Sequence, residues 1–224
     1  MDADESNFGL SGQLGLPAPM ELMEYIGGKR AVQSKMGKVQ GDGHKAPVFS
    51  EFWTVGDIPK EAISGEQGVF LVQVGKVKHY GEGCACPMGV LAKDFLNHLK
   101  LNTDDIAVVD TEAGLEHLGR GLAGAADLVL AVIDPSFESI RLSEKFASMA
   151  KESQKPLRFV LNRVEGDFAD KIVAKVGEER IVAALPFSRL IQEKGLLGEP
   201  LDFDVPSLAV IADFVLKALK EKKV

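Results

Sequence analysis

Two thiols one residue apart are the sharpest chemical feature of the chain. Cys84-Ala85-Cys86-Pro87 follows His79, Gly81 and Gly83, and thiolates at that spacing can face one soft metal ion if the backbone turns between them. A pair supplies half of a tetrahedral shell. The other half could come from His79, from an outside ligand, or from the same pair on a two-fold-related subunit, which would put four sulfurs on the axis. Four thiolates suit zinc, an iron–sulfur cluster or another thiophilic metal, and the spacing does not choose among them. Ordinary buried cysteines and a redox pair stand beside the metal reading, and the glycine-rich approach shifts weight toward metal. His79 could equally be a surface residue. His98 lies seven residues after Leu91 on the same apolar face, so it is expected to be packed or hydrogen-bonded.

Carboxylates form the second feature. Val109-Asp110-Thr111-Glu112-Ala113-Gly114 places an acid at the tip of a short apolar run, where it could hold Mg²⁺ through water while the Gly114 amide senses a terminal phosphate. Glu116, His117, Gly119, Arg120 and Gly121 follow, in a helix start or a switch-like loop. Asp2 and Asp4 need not act on one proton: one could polarise a water or approach Mg²⁺ while the other faces outward. A frayed acidic terminus is the plain alternative. No G-x-x-x-x-G-K-[ST] loop occurs anywhere in the 224 residues. Without that cradle of amides and its lysine, tight triphosphate binding loses its main electrostatic support.

These residues need elements to position them. Leu14, Leu16, Leu22, Met23 and Ile26 give fragments of a helical face, broken by Pro17 and Pro19 and closed by Gly27-Gly28. Lys29 to Lys45, with Lys29, Arg30, Lys35, Lys38 and Lys45 among glycines, reads as a mobile solvated loop, with a phosphate-contacting loop as the alternative. Residues 47–54 and 69–77 have strand composition. From residue 88 helices and strands alternate. Leu91, Phe95 and Leu99 mark a helix over 88–99, and the apolar runs 106–109, 128–133, 157–161 and 181–185 read as strands, with a last helix over 207–220. Uninterrupted apolar strands between helices predict a mostly parallel sheet flanked by helices, an α/β fold. Ligands in such sheets bind at the carboxyl ends of the strands, so Asp110, Asp134, Asn162 and the loop after Pro186 are candidates for one shared site, with strand and helix capping as the alternative.

Composition narrows the class. With 46% hydrophobic residues and 26% charged, the chain is built to bury a core. Its 26 basic and 33 acidic side chains sum to −7, which disfavours broad capture of nucleic acid or an anionic membrane. Two cysteines are too few for a disulfide scaffold. The start lacks the marks of a signal peptide, and no apolar run approaches the roughly 20 residues that span a bilayer. A cytoplasmic setting with no membrane and no nucleic-acid partner is therefore expected.

Taken together, Gly83-Cys84-Ala85-Cys86-Pro87 and the run VDTEAGLEHLGRG from Val109 to Gly121 resemble the nickel-insertion accessory ATPases of carbon monoxide dehydrogenase maturation, the CooC family. That family sits in the class of dimeric P-loop ATPases with MinD, ParA and the nitrogenase iron protein, and the resemblance covers nearly the whole chain. It implies that Asp2-Ala3-Asp4-Glu5-Ser6-Asn7 is the first switch, with Asp2 and Asp4 its acidic positions. Asp110 would close the Walker B strand and Gly114 would belong to the second switch. Asn162, followed by Arg163, would read the adenine edge, with Pro186 and Phe187 beside the base. Cys84 and Cys86 would hold nickel or zinc across a homodimer, with ATP or ADP and Mg²⁺ as further cofactors and carbon monoxide dehydrogenase as the client.

Members of this family begin with a strand, a glycine-rich phosphate loop and a helix, and the sequence starts after all three. The resemblance therefore implies one domain over residues 1–224, a fold of the MinD and nitrogenase iron protein type that lacks its first β–α unit. Such a chain is expected to bind ATP poorly and to hydrolyse it little or not at all. A catalytically dead metal-binding dimerisation module, or an iron–sulfur carrier related to the nitrogenase iron protein, are the competing functions.

Overall fold

The computed structural model describes residues 1–36, 46–66, 68–82, 84–115 and 121–222. The chain divides into two units: Met1–Ala113 with Lys194–Leu201, and Gly114–Glu193 with Asp202–Val224.

In the first unit the fragmentary apolar pattern produces short helices: α1 (Leu10–Gln13), α2 (Leu22–Tyr25) and α3 (Lys29–Met36). Pro17 and Pro19 separate the first two. Gly27 and Gly28 then adopt φ of 97° and 87°, a left-handed turn that closes α2 and lets α3 begin. The basic stretch expected to be loop from Lys29 is thus helical as far as Met36, and residues 37–45, including Lys38 and Lys45, lie outside the described residues. Strands β1 (Ser64–Glu66) and β2 (Val69–Leu71) pair antiparallel. Helix α4 (Cys86–His98) matches the helix read from 88–99 and buries Met88, Leu91, Ala92 and Phe95.

Two expected strands take other forms. Residues 47–54 carry strand-type aromatics, but these build an edge-to-face cluster on α4: Phe49 lies 5.0 Å from Trp53 and 5.6 Å from Phe95, ring centre to ring centre. Asp94 on α4 accepts from the backbone N–H groups of Val48 and Phe49 at 2.7 and 2.9 Å, so this backbone bonds to a side chain in place of a sheet. Only Trp53 bridges to another segment, at Leu99. Residues 106–109 form no regular strand either. Instead Asp110 joins a narrow parallel ladder in which Asp2 bridges to Gln73 on one side and to Asp110 on the other. Its bonds are Asp2 N to Val72 O and Val74 N to Asp2 O, then Asp110 N to Met1 O and Ala3 N to Asp110 O. The acidic opening of the sequence is therefore the middle of a three-segment ladder.

The second unit follows the alternation closely. Strand β3 (Val129–Ile133), helix α5 (Phe137–Glu152), strand β4 (Leu157–Asn162), helix α6 (Phe168–Val176) and strand β5 (Ile181–Leu185) make two successive parallel crossovers, with sheet order β3-β4-β5. Helix α7 (Arg189–Leu197) and helix α8 (Pro206–Lys222) complete the chain, and α8 lies against β5. Ser136 caps α5 by accepting from Ser139 N at 3.1 Å. The central strand explains its own composition. Phe159, Val160 and Leu161 are successive residues pointing to opposite faces, and all three are buried, which happens when both faces of a sheet are covered. At β3 the covering is one-sided: Ala131 and Ile133 join the core while Val132 between them is 63% exposed. The core gathers Ala131, Ile133, Phe159, Leu161, Ile172 and Val176, with Ile140 and Phe146 of α5 against it.

Phe159→Ala is expected to destabilise the second unit by about 3–5 kcal/mol, through lost burial and a residual cavity. Phe137→Ala, at an exposed position, should change it by less than about 0.5 kcal/mol. Urea titration followed by far-UV circular dichroism checks both.

Candidate functional site

Lys76 is the residue on which the first-unit site turns, and the run Val69 to Val77 gives the reason it is buried: it sits among apolar neighbours on a segment the ladder holds in place. It is 4% exposed. An ammonium group removed from water must be met by acceptors, and Lys76 Nζ donates to Asp2 Oδ2 and to the Asp4 carbonyl, each at 2.6 Å. Asp2 is fully buried. Its Oδ2 also accepts from Gln73 Nε2 at 3.1 Å, and its Oδ1 from Asp4 N at 3.2 Å. The first expected switch acid is thus an anchor whose oxygens are already bonded. Lys76 was not singled out in the sequence; the signal was present as a lysine interrupting a strand-like apolar run.

Asp4 turns to its own loop. Its Oδ1 accepts from Ser6 N, Ser6 Oγ and Asn7 N at 2.8, 2.7 and 3.1 Å. Partial burial pushes its carboxyl upward, but those hydrogen bonds and Lys76 outweigh the burial and hold it below the ordinary carboxylate value. Asp110, at the outer segment of the ladder, behaves oppositely. Partial burial and the charges of Asp2 and Asp4 raise its carboxyl above the ordinary value, against Lys76. Gly114 has φ 127°, a backbone conformation that favours glycine. The polar run from Glu116 to Arg120 lies outside the described residues.

Beside Lys76 opens a cleft of about 450 Å³, lined by Glu21, Glu24, Lys29, Lys76, Lys78 and Glu82 among others. Its cations are matched: Lys78 pairs with Glu21 at 2.7 Å and Lys29 with Glu82 at 3.2 Å. No group of three His, Cys, Asp or Glu side chains among the described residues could hold a metal ion.

The cysteine pair corrects the cofactor expectation. Cys84 and Cys86 form a disulfide within one chain, Cα to Cα 5.3 Å. Both sulfurs are bonded to each other, so neither is the thiolate that nickel, zinc or a cluster needs, and the shared inter-subunit metal site is not formed. The turn that was expected to aim both sulfurs at a metal aims them at each other. Gly83 lies outside the described residues. His79 is exposed, and His98 bonds the Asp94 carbonyl at 2.8 Å while resting on Phe52.

In the second unit the strand ends bring several expected residues to one edge. Asn162 closes β4, and its Nδ2 donates to Asp134 Oδ1, just past β3, at 3.2 Å. Arg163 follows with φ 56°, turning the chain sharply so that Val164 N reaches Leu185 O at 3.1 Å, at the end of β5. Pro186 and Phe187 come next; both are exposed, Phe187 to 44%. The bond to Asp134 uses one Nδ2 proton, which leaves the Asn162 amide one N–H and its carbonyl oxygen. A donor and an acceptor side by side match the N7 and N6 edge of adenine.

No family model matches the chain. It is similar to an uncharacterized ATP-binding protein of Methanocaldococcus jannaschii, 36% identical over 217 residues that cover 97% of this chain and 87% of that protein. The chain belongs to the MinD/ParA/CooC-like family of P-loop ATPases. Within this family it is also similar to the carbon monoxide dehydrogenase accessory protein CooC of Rhodospirillum rubrum, 29% identical over 146 residues, 64% of this chain and 56% of that one. The chain thus spans little more than half of that relative. The MinD cell division protein of Aquifex aeolicus matches 51% of each chain at 21% identity with a TM-score of 0.37. No helix among the described residues of this family member is long and apolar enough to cross a membrane.

Lys76→Met should destabilise the first unit by about 3–5 kcal/mol, because it strands the buried Asp2 charge, and Lys76→Met with Asp2→Asn should recover most of that loss. Asp110 gives a pH signature. An acid with a raised folded pKa holds its proton more tightly folded than unfolded, so its contribution falls as pH rises past the ordinary carboxylate value and through the raised one. The stability difference between Asp110→Asn and the wild-type chain should therefore grow in favour of the variant from about pH 4 to about pH 7. Paired urea titrations across that range check the sign.

Proposed function

We propose that this chain is the nucleotide-responsive body of an accessory protein for maturation of a carbon monoxide dehydrogenase-type enzyme, working as a homodimer. The observation that carries the nucleotide part is Asn162: a strand-end amide, oriented by Asp134, beside the exposed Pro186 and Phe187. In this reading Asn162 pairs with the adenine edge, and Arg163, Pro186 and Phe187 flank the base. Support comes from the relation to an ATP-binding protein over 97% of the chain. The client rests on the similarity to the accessory protein CooC, and the homodimer on the resemblance of the Cys84–Cys86 and Val109–Gly121 runs to that family.

In the first unit Asp110 is assigned as a carboxylate that would face a metal-bound water and Asp4 as a switch residue, while Asp2 holds that switch segment through Lys76. In the second unit Gly114 is assigned as a switch glycine. The disulfide takes both thiols, so the proposal includes no metal on that pair.

Nucleotide titration followed by two-dimensional NMR tests the reading. ATP should perturb the resonances of Asn162 and Phe187 and bind more tightly than GTP. Asn162→Ala should weaken ATP by roughly tenfold, in line with about 1–3 kcal/mol for a bidentate amide–adenine pair, and erase the preference over GTP. Equal binding of ATP and GTP to the wild-type chain, or unchanged ATP affinity in the variant, would remove Asn162 from this role. Co-purification with carbon monoxide dehydrogenase, and a solution mass twice that of one chain, are the readouts for client and dimer.

A further inference from the structure

The Cys84–Cys86 bond is badly placed to act as a staple. It closes a ring across a single residue, Ala85, and the stabilisation a disulfide draws from restricting the unfolded chain shrinks with the loop it closes. Helix α4 is already held by the burial of Met88, Leu91, Ala92 and Phe95. Its surroundings suit chemistry better. Both cysteines are exposed. Cys86 is the first residue of the 13-residue α4, and its N–H donates to Cys84 Sγ at 3.1 Å. Pro87, next in line, has no N–H to offer. The first amides of a helix lack intrahelical acceptors and carry the positive end of its dipole, and a sulfur held there is stabilised as a thiolate. The nearby Glu82 carboxylate is engaged by Lys29 Nζ at 3.2 Å and by Lys78 N at 3.0 Å, which offsets the negative charge closest in sequence.

We propose that Cys84 and Cys86 form a thiol–disulfide exchange site whose partner is a protein dithiol. A thiolate of the partner attacks Cys86 Sγ. The new bond joins partner sulfur to Cys86, the Cys84–Cys86 bond breaks, and its electron pair leaves on Cys84 Sγ, against the Cys86 N–H. The partner's second thiolate then attacks its own sulfur in the mixed disulfide, and Cys86 leaves as a thiolate. Two electrons have passed from the partner, which ends as a disulfide, and its two thiol protons end on Cys84 and Cys86. The reverse sequence oxidises the pair and returns the electrons.

The test uses the oxidised 224-residue chain in native buffer, with dithiothreitol as the dithiol and alkylation followed by peptide mass analysis as the readout. The pair should open without denaturant, and the far-UV circular dichroism and urea midpoint should stay unchanged. In the reduced chain, iodoacetamide at neutral pH should modify Cys84 roughly fivefold faster than Cys86, because the Cys86 N–H at the start of α4 donates to the Cys84 sulfur. Cys86→Ser should keep that fast rate at Cys84, while Cys84→Ser treated with oxidised glutathione should accumulate the mixed disulfide on Cys86. Opening only after urea unfolds the chain would overturn the proposal. So would equal alkylation of both thiols at the rate of free cysteine, or failure of the reduced pair to re-form its bond in oxidised glutathione.

Discussion

A lysine ammonium with almost no water around it organises the first unit. Lys76 Nζ reaches both the Asp2 carboxylate and the Asp4 carbonyl, and those contacts fix the path of the chain between the segments at 72–74 and 108–110. Charge neutralisation alone would not achieve this, because taking two ions out of water is expensive. The pair is tolerable because the remaining capacity of Asp2 is filled by Gln73 and by the Asp4 amide. With these partners the carboxylate specifies one register for the ladder. The same arrangement explains the opposite shifts of the two neighbouring acids. Asp4 is supplied with donors by its own turn, whereas Asp110 is partly buried near the two negative charges of Asp2 and Asp4.

The second unit rests on different physics. Its β4 is covered on both faces, and the crossover helices α5 and α6 bring Ile140, Phe146, Ile172 and Val176 to the core. Hydrophobic burial sets the strand order, and polar residues collect where the apolar runs stop. Asp134 and Asn162 end adjacent parallel strands, so their side chains arrive at one edge. That edge is where an open α/β sheet leaves room for a ligand, and the Asp134 carboxylate already restricts how the Asn162 amide can turn.

The disulfide shows how one residue spacing can serve two chemistries. A Cys-x-Cys turn brings sulfurs close enough either to share a metal or to bond each other, and the choice depends on oxidation state and local geometry, neither of which is written in the spacing. Family membership does not decide it either, since a relation over the whole chain describes the scaffold while the chemistry resides in particular side chains.

Legibility followed the range of the interactions. Helix α4, strands β3, β4 and β5 and the last helix were readable because each carries an uninterrupted period of 3.6 or a short continuous apolar run. Asn162 was readable as a polar strand end. Residues 47–54 misled because aromatic residues suit a strand and equally suit a cluster against Phe95, and only the position of α4 distinguishes the two. The run 106–109 misled because an apolar segment with one short bridge has the composition of a full strand. The sequence alone determined the alternating order of elements and the family, since both are properties of local pattern and of similarity along the chain. The tertiary structure alone decided that Asp2 is buried against Lys76, 74 residues away, and that Cys84 closes on Cys86. Such partners are set by where the folded backbone brings charges and sulfurs together, which no local period encodes.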